Sequence, residues 1–258
     1  PLLILFMTAA LTSGGFAFDR QTAAAIVGIY AASVYLAALP GGWIADRILG
    51  LRKAILIGAI LISLGHISIG VSAFASGPTA FFIGLILIVL GTGLLKPNIS
   101  AIVGDLYPEG GERRDAGFSI FYMGINIGAF AGQLVTGFLG EVYGWHWGFG
   151  AAGVGMLIGT IVFAIRAPKT LGDIGLEPSK HPDPEVNRTQ VSRAKLALYA
   201  GLAILALVVI LAMTGTITLD PEVLGTYFVY VILGLAFAFF AYVLAFGGLN
   251  GDEKKRMV

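Results

Sequence analysis

Seven apolar runs, each long enough to cross a lipid bilayer, constrain this chain to a narrow set of folds. A helix needs about 20 apolar residues to span the hydrocarbon core, where backbone groups must be paired within helices or closed barrels. Hydrophobic residues make up 57% of the sequence and charged residues only 12%. The runs lie at residues 22–45, 54–74, 79–104, 116–139, 147–165, 196–214 and 223–246, after a truncated run from Pro1 to Phe18. We therefore predict an all-α integral membrane protein.

The positive charges predict how the spans are oriented. Of the 16 Lys and Arg residues, all but two fall on alternate loops of one side, which is typical of cytoplasmic loops. These are Arg47, Arg52, Lys53, Arg113, Arg114, Arg166, Lys169, Lys180, Arg188, Arg193, Lys195, Lys254, Lys255 and Arg256. Arg20 lies on the opposite side and Lys96 lies within the membrane. The loop 46–53 is therefore predicted to be cytoplasmic.

The chain divides into a group of six spans, a linker and two further spans. Residues 167–195 are polar, rich in Pro and Gly, and lack helical periodicity, so we predict a cytoplasmic linker after the bundle of residues 1–166. Residues 196–246 carry no charge at mid-membrane depth and have a short connection. We expect a hairpin of antiparallel neighbours outside the bundle, with no side chain in its cavity. Residues 247–258 are interpreted as a cytoplasmic lead-in to another span of a longer protein.

Lys96 is the single charge in the stretch from Thr79 to Gly104. At about 1.5 Å per residue, it lies roughly 13 Å from Asp105, the next charge. An ammonium at that depth costs roughly 3 kcal/mol on insertion scales and normally faces a cavity. It therefore indicates a path for an ion or a substrate. The alternative is a lysine that snorkels to the interface.

Three stretches carry a resemblance to a known family. They are GGWIADRILGLRKAI (residues 41–55), GTGLLKPNIS (residues 91–100) and FSIFYMGINIGAF (residues 118–130). Together they resemble the proton-coupled oligopeptide transporters, the POT family of the major facilitator superfamily, in its prokaryotic form. The resemblance implies a six-helix bundle with a truncated first helix, plus the two inserted helices of prokaryotic members. It also implies the inner (plasma) membrane of a bacterium.

The loop after the second span holds the charges Asp46, Arg47 and Arg52. By themselves they could be a solvated loop or a charge network at the cytoplasmic helix ends. The resemblance implies the network. Arg20 is similar to an arginine that pairs with an acid of the other half when the outer gate closes.

Four residues are candidates for substrate binding. The resemblance implies that Lys96 binds the peptide carboxylate and takes part in proton coupling, that Tyr35 lines the pocket, and that Asn126 contacts the peptide backbone. By spacing alone Tyr35 is an ordinary aromatic, and Asn126 could equally bond a neighbouring helix. Tyr122 lies four residues before Asn126 on the same helix face and could simply pack between helices.

The glycines at 124, 128 and 132 recur every fourth residue on the same helix. Small residues at that spacing allow membrane helices to approach closely. We therefore expect them to form a packing stripe.

The resemblance implies a symporter that takes up di- and tripeptides with protons by alternating access. Other solutes, such as nitrate or a modified peptide, remain alternatives. A membrane enzyme would need clustered acids, histidines or a serine-based dyad, and every Asp and Glu lies in a loop or at a span end. A purely structural membrane subunit would not explain Lys96. The first-helix motif E-x-x-E-R-F-x-Y-Y and the C-terminal six-helix bundle are absent, so this chain alone is not expected to transport.

The expected partners are di- and tripeptides, protons, the lipid bilayer and the missing C-terminal bundle. No nucleic acid and no catalytic residue are expected. No metal or cofactor is expected either, apart from the proton as coupling ion.

Overall fold

The computed structural model describes residues 2–72 and 78–247, which form nine α-helices. These are α1 (Leu2–Thr8), α2 (Arg20–Leu36), α3 (Ala38–Ile44), α4 (Leu51–Ser72), α5 (Thr79–Asp105), α6 (Gly111–Val142), α7 (Trp145–Thr170), α8 (Pro184–Met213) and α9 (Pro221–Phe246). With Arg20–Leu49 taken as one span, seven spans in the described residues are long and apolar enough to cross a membrane. This confirms the predicted fold class. Pro1, the end of the predicted span 54–74, and the predicted lead-in from residue 248 lie outside the described residues.

The first apolar run is α-helical only as far as Thr8, and a short 3-10 helix follows at Leu11–Ser13. Gly14 adopts a left-handed φ of 77°, and the chain turns back so that the N–H of Phe18 donates to the carbonyl of Met7 at 2.8 Å. The ring of Phe16 then lies 4.8 Å from the ring of Phe6, centroid to centroid. Burial of these aromatic rings favours the turn over a continued helix.

The first complete span, Arg20–Leu49, is divided into three helical segments. Between α2 and α3 the helix is interrupted at Ala37, and after α3 a five-residue π-helical segment runs over Ala45–Leu49. Pro40 has no N–H to donate to the carbonyl of Leu36, and π-helical segments are local bends. The second half of this span packs against α5.

The centre of the bundle is the pair α4 and α5, which lie together through glycines. A Cβ added at Gly58 would lie 2.6 Å from the carbonyl oxygen of Gly91, and one at Gly65 would lie 2.8 Å from that of Gly84. These contacts leave no room for larger residues, so the two backbones are in direct contact. They fix the position of α5, the helix that carries Lys96.

The prediction that residues 167–195 lack helical structure is wrong at both ends. Helix α7 continues to Thr170 and α8 begins at Pro184, so the irregular connection is only residues 171–183. The Asp183 carboxylate accepts hydrogen bonds from two first-turn N–H groups of α8, and proline is favoured at the first helical position. The polar residues at the start of α8 therefore form the first turns of a spanning helix.

The two extra spans make their main backbone contacts with other helices of the chain. Within the described residues their backbones make almost no close approach to each other; α9 packs along α2, and α8 contacts the π-helical segment. A Cβ at Gly225 would lie 4.0 Å from side-chain atoms of Ala25 and Ile29, an ordinary contact. The short connection fixes their directions, whereas α2 supplies the packing surface.

Candidate functional site

Lys96 and Tyr35 come together in the structure, on α5 and α2. The Nζ atom of Lys96 lies 4.2 Å from the centre of the Tyr35 ring, within the range of a cation–π contact. Lys96 is exposed and Tyr35 is 67% exposed, so the ammonium faces an open surface of the described bundle. Such a contact is worth about 0.5–1 kcal/mol at an exposed site and about 2 kcal/mol or more once desolvated.

A pair of glycines brings α3, the continuation of α2 in the same span, against α5. A Cβ at Gly41 would lie 2.0 Å from the carbonyl oxygen of Gly93, and a Cβ at Gly93 would lie 2.6 Å from that of Ala37. Gly93 is one turn before Lys96, and Ala37 is two residues after Tyr35. Gly41 therefore permits a close approach of the helices, and this approach sets the distance between Tyr35 and Lys96.

Asn98 is a positioning residue that the sequence analysis did not assign. It is 2% exposed, and its Nδ2 atom donates to the carbonyl of Leu94 at 2.6 Å and to the carbonyl of Gly41 at 3.3 Å. The second bond joins α5 to α3. A buried amide is stable only when it is paired, so this contact specifies the pairing of the two helices. The signal that could have identified Asn98 from the sequence was its position, as an amide side chain between two glycine-containing segments.

The α6 candidates lie on a separate surface. Tyr122 is 53% exposed, Asn126 is exposed, and the Nδ2 atom of Asn126 donates to the carbonyl of Tyr122 at 2.8 Å within its own helix. Beside the stripe glycines, at 124, 128 and 132, a Cβ would meet open space. The described residues therefore provide no packing partner for the stripe, and none of the contacts found here joins Tyr122 or Asn126 to Lys96.

The loop that carries Asp46, Arg47 and Arg52 is bonded to the linker and to α8. Among the described residues no ion pair joins Asp46, Arg47 and Arg52. The Asp46 carbonyl accepts from the N–H of Ser179 at 2.8 Å, and Arg47 donates to the side-chain oxygen of Gln190. These bonds join the loop to the linker and to α8, and the charge network stays a prediction.

Arg52 makes two of these contacts. Its guanidinium donates to the carbonyl of Gly172 at 2.7 Å and its N–H to the carbonyl of Gly175 at 2.9 Å. Arg20, the predicted gate residue, is the exposed first residue of α2.

Two cavities lie elsewhere between the described helices. One, of about 640 Å³, is at the C-terminal end of α5 and includes Asp105 and Arg114. The other, of about 360 Å³, is between α4 and α7 and includes His66. Neither of these two cavities is lined by a predicted substrate residue. No group of three potential metal ligands occurs in the part of the chain that the structure describes.

The chemistry available at Lys96 is the binding of an anion. An ammonium has three donors and no acceptor, and the flanking ring restricts the direction from which a partner can approach. A carboxylate on the open side would satisfy the charge. The geometry therefore fits an acidic group of a ligand or of another helix.

Several known proteins are similar to this chain in sequence. The family model PTR2, described as the POT family, matches residues 52–169. "Peptide transporter YePEPT" of Yersinia enterocolitica is 46% identical, with 100% of this chain aligned to 50% of that protein. A "Di-/tripeptide transporter" of Lactococcus lactis is 36% identical, with 99% of this chain aligned to 50% of that protein.

Solved structures show the same fold. The crystal structure of "peptide transporter POT in complex with sulfate" superposes with a TM-score of 0.83 at 36% identity, over 99% of this chain and 50% of that one. A POT family transporter in complex with 5-aminolevulinic acid superposes with a TM-score of 0.82 at 34% identity, over 99% of this chain and 51% of that one. The chain spans about half the length of these relatives. By sequence and by fold, the chain belongs to the POT family.

Proposed function

We propose that this chain forms one half of a proton-coupled symporter that takes up di- and tripeptides. The single observation that carries the proposal is the Lys96 ammonium held 4.2 Å over the Tyr35 ring on an exposed surface. Relatives of the same family are named peptide and di-/tripeptide transporters, which supports a peptide as the substrate. Lys96 binds the peptide carboxylate, and Tyr35 orients it.

Proton coupling in this proposal follows from competition for Lys96. Desolvation disfavours an unpaired ammonium, so either the peptide carboxylate or a carboxylate of the protein must pair with it. Protonation of the protein carboxylate releases Lys96 to the peptide. No cofactor other than the proton takes part, and no catalytic residue is needed.

The second half of the site belongs to a C-terminal six-helix bundle. The open face of α6 supports this, because Tyr122, Asn126 and the glycine stripe lie exposed there. Docking of the other bundle would cover the stripe and enclose the space between α6 and Lys96. Alternating access then consists of rocking the two bundles about the site.

The proposed location is the inner membrane of a bacterium, with the loop 46–53 and the linker in the cytoplasm. Two observations support the same side for both segments. Their positive charges fall on one side of the predicted spans. They are also bonded to each other, through Ser179 with Asp46 and through Arg52 with Gly175.

The test is uptake of a labelled dipeptide by the full-length protein in proteoliposomes, with and without an inward proton gradient. Wild type should accumulate the peptide only with the gradient. Lys96→Ala should lose accumulation while inserting normally, because the carboxylate then lacks its cation. The control is Lys169→Ala, which replaces a lysine in the last turn of α7 and should behave like wild type. Accumulation by Lys96→Ala at the wild-type level would refute the role of Lys96.

Unlabelled competitors in the same assay separate the alternatives. A dipeptide should inhibit uptake, whereas nitrate should not. Strong inhibition by nitrate with none by dipeptides would overturn the assignment of peptide as substrate.

A further inference from the structure

The span Arg20–Leu49 is less buried than α4. In its most apolar stretch of 18 consecutive residues 11% are buried, against 44% in the corresponding stretch of α4. It is also irregular, since the helix is interrupted at Ala37 and ends in the π-helical segment. Irregular helices bend at such points, so the two ends of this span are free to move relative to its middle unless something holds them. Tyr35 lies close to the interruption.

The extra spans contact both ends of this irregular helix. At the outer end the Nε2 atom of Gln21 donates to the carboxylate of Glu222 at 2.7 Å, in the first turns of α2 and α9. At the other end Arg47 of the π-helical segment donates to Gln190 in the second turn of α8. Between these points α9 packs along α2 at Gly225.

The lengths of the helices match this arrangement. The span Arg20–Leu49 and helix α8 each contain 30 residues, about 45 Å at 1.5 Å per residue. Because α8 begins beside the end of the span, its own end returns to the level of Arg20. The short connection then places the start of α9 beside Gln21. A hairpin of this length can therefore hold both ends of the span at once.

We propose that α8 and α9 are a brace for the span Arg20–Leu49, and that Gln190 and Glu222 are positioning residues which keep Tyr35 over Lys96. Neither residue touches the substrate. They act by fixing the ends of a helix that bends near Tyr35. The inference that the brace affects peptide affinity rests on the proposed function. The inference that the brace fixes the span Arg20–Leu49 does not.

The test uses the double variant Gln190→Ala with Glu222→Ala in the full-length protein. Spin labels are placed on Leu39 of α3 and Val154 of α7, which are 71% and 59% exposed. The chain has no cysteine, so introduced cysteines are unique within it. The distance distribution between the labels should be narrow in wild type and should broaden and shift in the double variant. An unchanged distribution would overturn the brace, whatever the substrate.

Matched controls come from the same helices. Glu185→Ala in the first turn of α8 and Thr226→Ala in α9 replace exposed side chains that make no hydrogen bond to the span among the described residues; the Thr226 hydroxyl donates to Glu222 in its own helix. The double control should leave the distance distribution unchanged. Equal broadening in the control would show general loosening of the hairpin and would also overturn the assignment of the two positioning residues.

Transport provides the second readout. Loss of two polar contacts that position the site should raise the KM for a dipeptide by about threefold or more, with little change in kcat. A fall in kcat with unchanged KM would place the role of the hairpin in the conformational step and would refute the positioning role. If the wild-type protein takes up no dipeptide at all, the proposed function is wrong. The distance distribution between the spin labels is then the measurement that tests the brace.

Discussion

The contact between Gly41 and Gly93 gives the sharpest prediction. In Gly41→Ala the new Cβ would lie 2.0 Å from the carbonyl oxygen of Gly93, and the atom it meets is backbone, which cannot rotate away. An ordinary contact begins at 3.4 Å, so α3 and α5 must separate by about 1.4 Å. Overpacking of this kind typically costs about 1–3 kcal/mol.

The separation of α3 from α5 should change the geometry around Lys96. The bond from Asn98 to Gly41 is already 3.3 Å long and would be broken. The distance from Lys96 Nζ to the Tyr35 ring centre would rise from 4.2 Å towards the limit of about 6 Å for a cation–π contact. Loss of that contact, about 0.5–1 kcal/mol at an exposed site, weakens ligand binding by about two- to fivefold.

The control for this experiment is the neighbouring glycine. A Cβ at Gly42 would meet only the Cβ of Pro97, at 3.9 Å, so Gly42→Ala fits without displacement. Helix propensity changes equally in both variants. Thermal unfolding in detergent and the KM for dipeptide uptake are measured for each. If Gly41→Ala is as stable and as active as Gly42→Ala, the close helix contact does not set the site geometry.

Two further predictions concern other pairs of matched residues. Asn98→Ala should destabilise the protein by about 2 kcal/mol, because it leaves a cavity and removes the amide bond that joins α5 to the Gly41 carbonyl. Asn126→Ala removes an exposed amide bonded within its own helix and should change stability by less than about 0.5 kcal/mol. Equal losses in thermal unfolding would contradict the positioning role of Asn98. Gly175→Ala should increase protease cleavage of the linker, because Gly175 has a φ of +69° and its new Cβ would lie 3.0 Å from the Cβ of Leu51. Gly172→Ala, with a φ of +54° and open space around it, controls for the strain of a positive φ; similar cleavage in both would show that contact with the loop is unimportant.

The membrane spans and the family could be predicted from the sequence. Length and hydropathy predict the seven spans, because a bilayer tolerates only long apolar helices. Lys96 stood out because a charge at that depth is costly wherever its helix packs. Tyr35 required the resemblance, since one aromatic residue on an apolar helix carries no signal of its own. The structure places these two together, while the roles predicted for Tyr122, Asn126 and Arg20 stay predictions.

Contacts between helices were decided by the tertiary structure. A membrane helix is apolar on all sides, so its sequence does not show which face is buried, as amphipathic periodicity does in a soluble protein. For that reason the Gly41–Gly93 contact and the role of Asn98 became clear only once α3 and α5 were placed. The same is true of the extra spans, which pack on α2 and the π-helical segment although their short connection suggested a mutual pair. Chain length and polarity determined that these segments cross the membrane, and only close packing of backbones determined which of them touch.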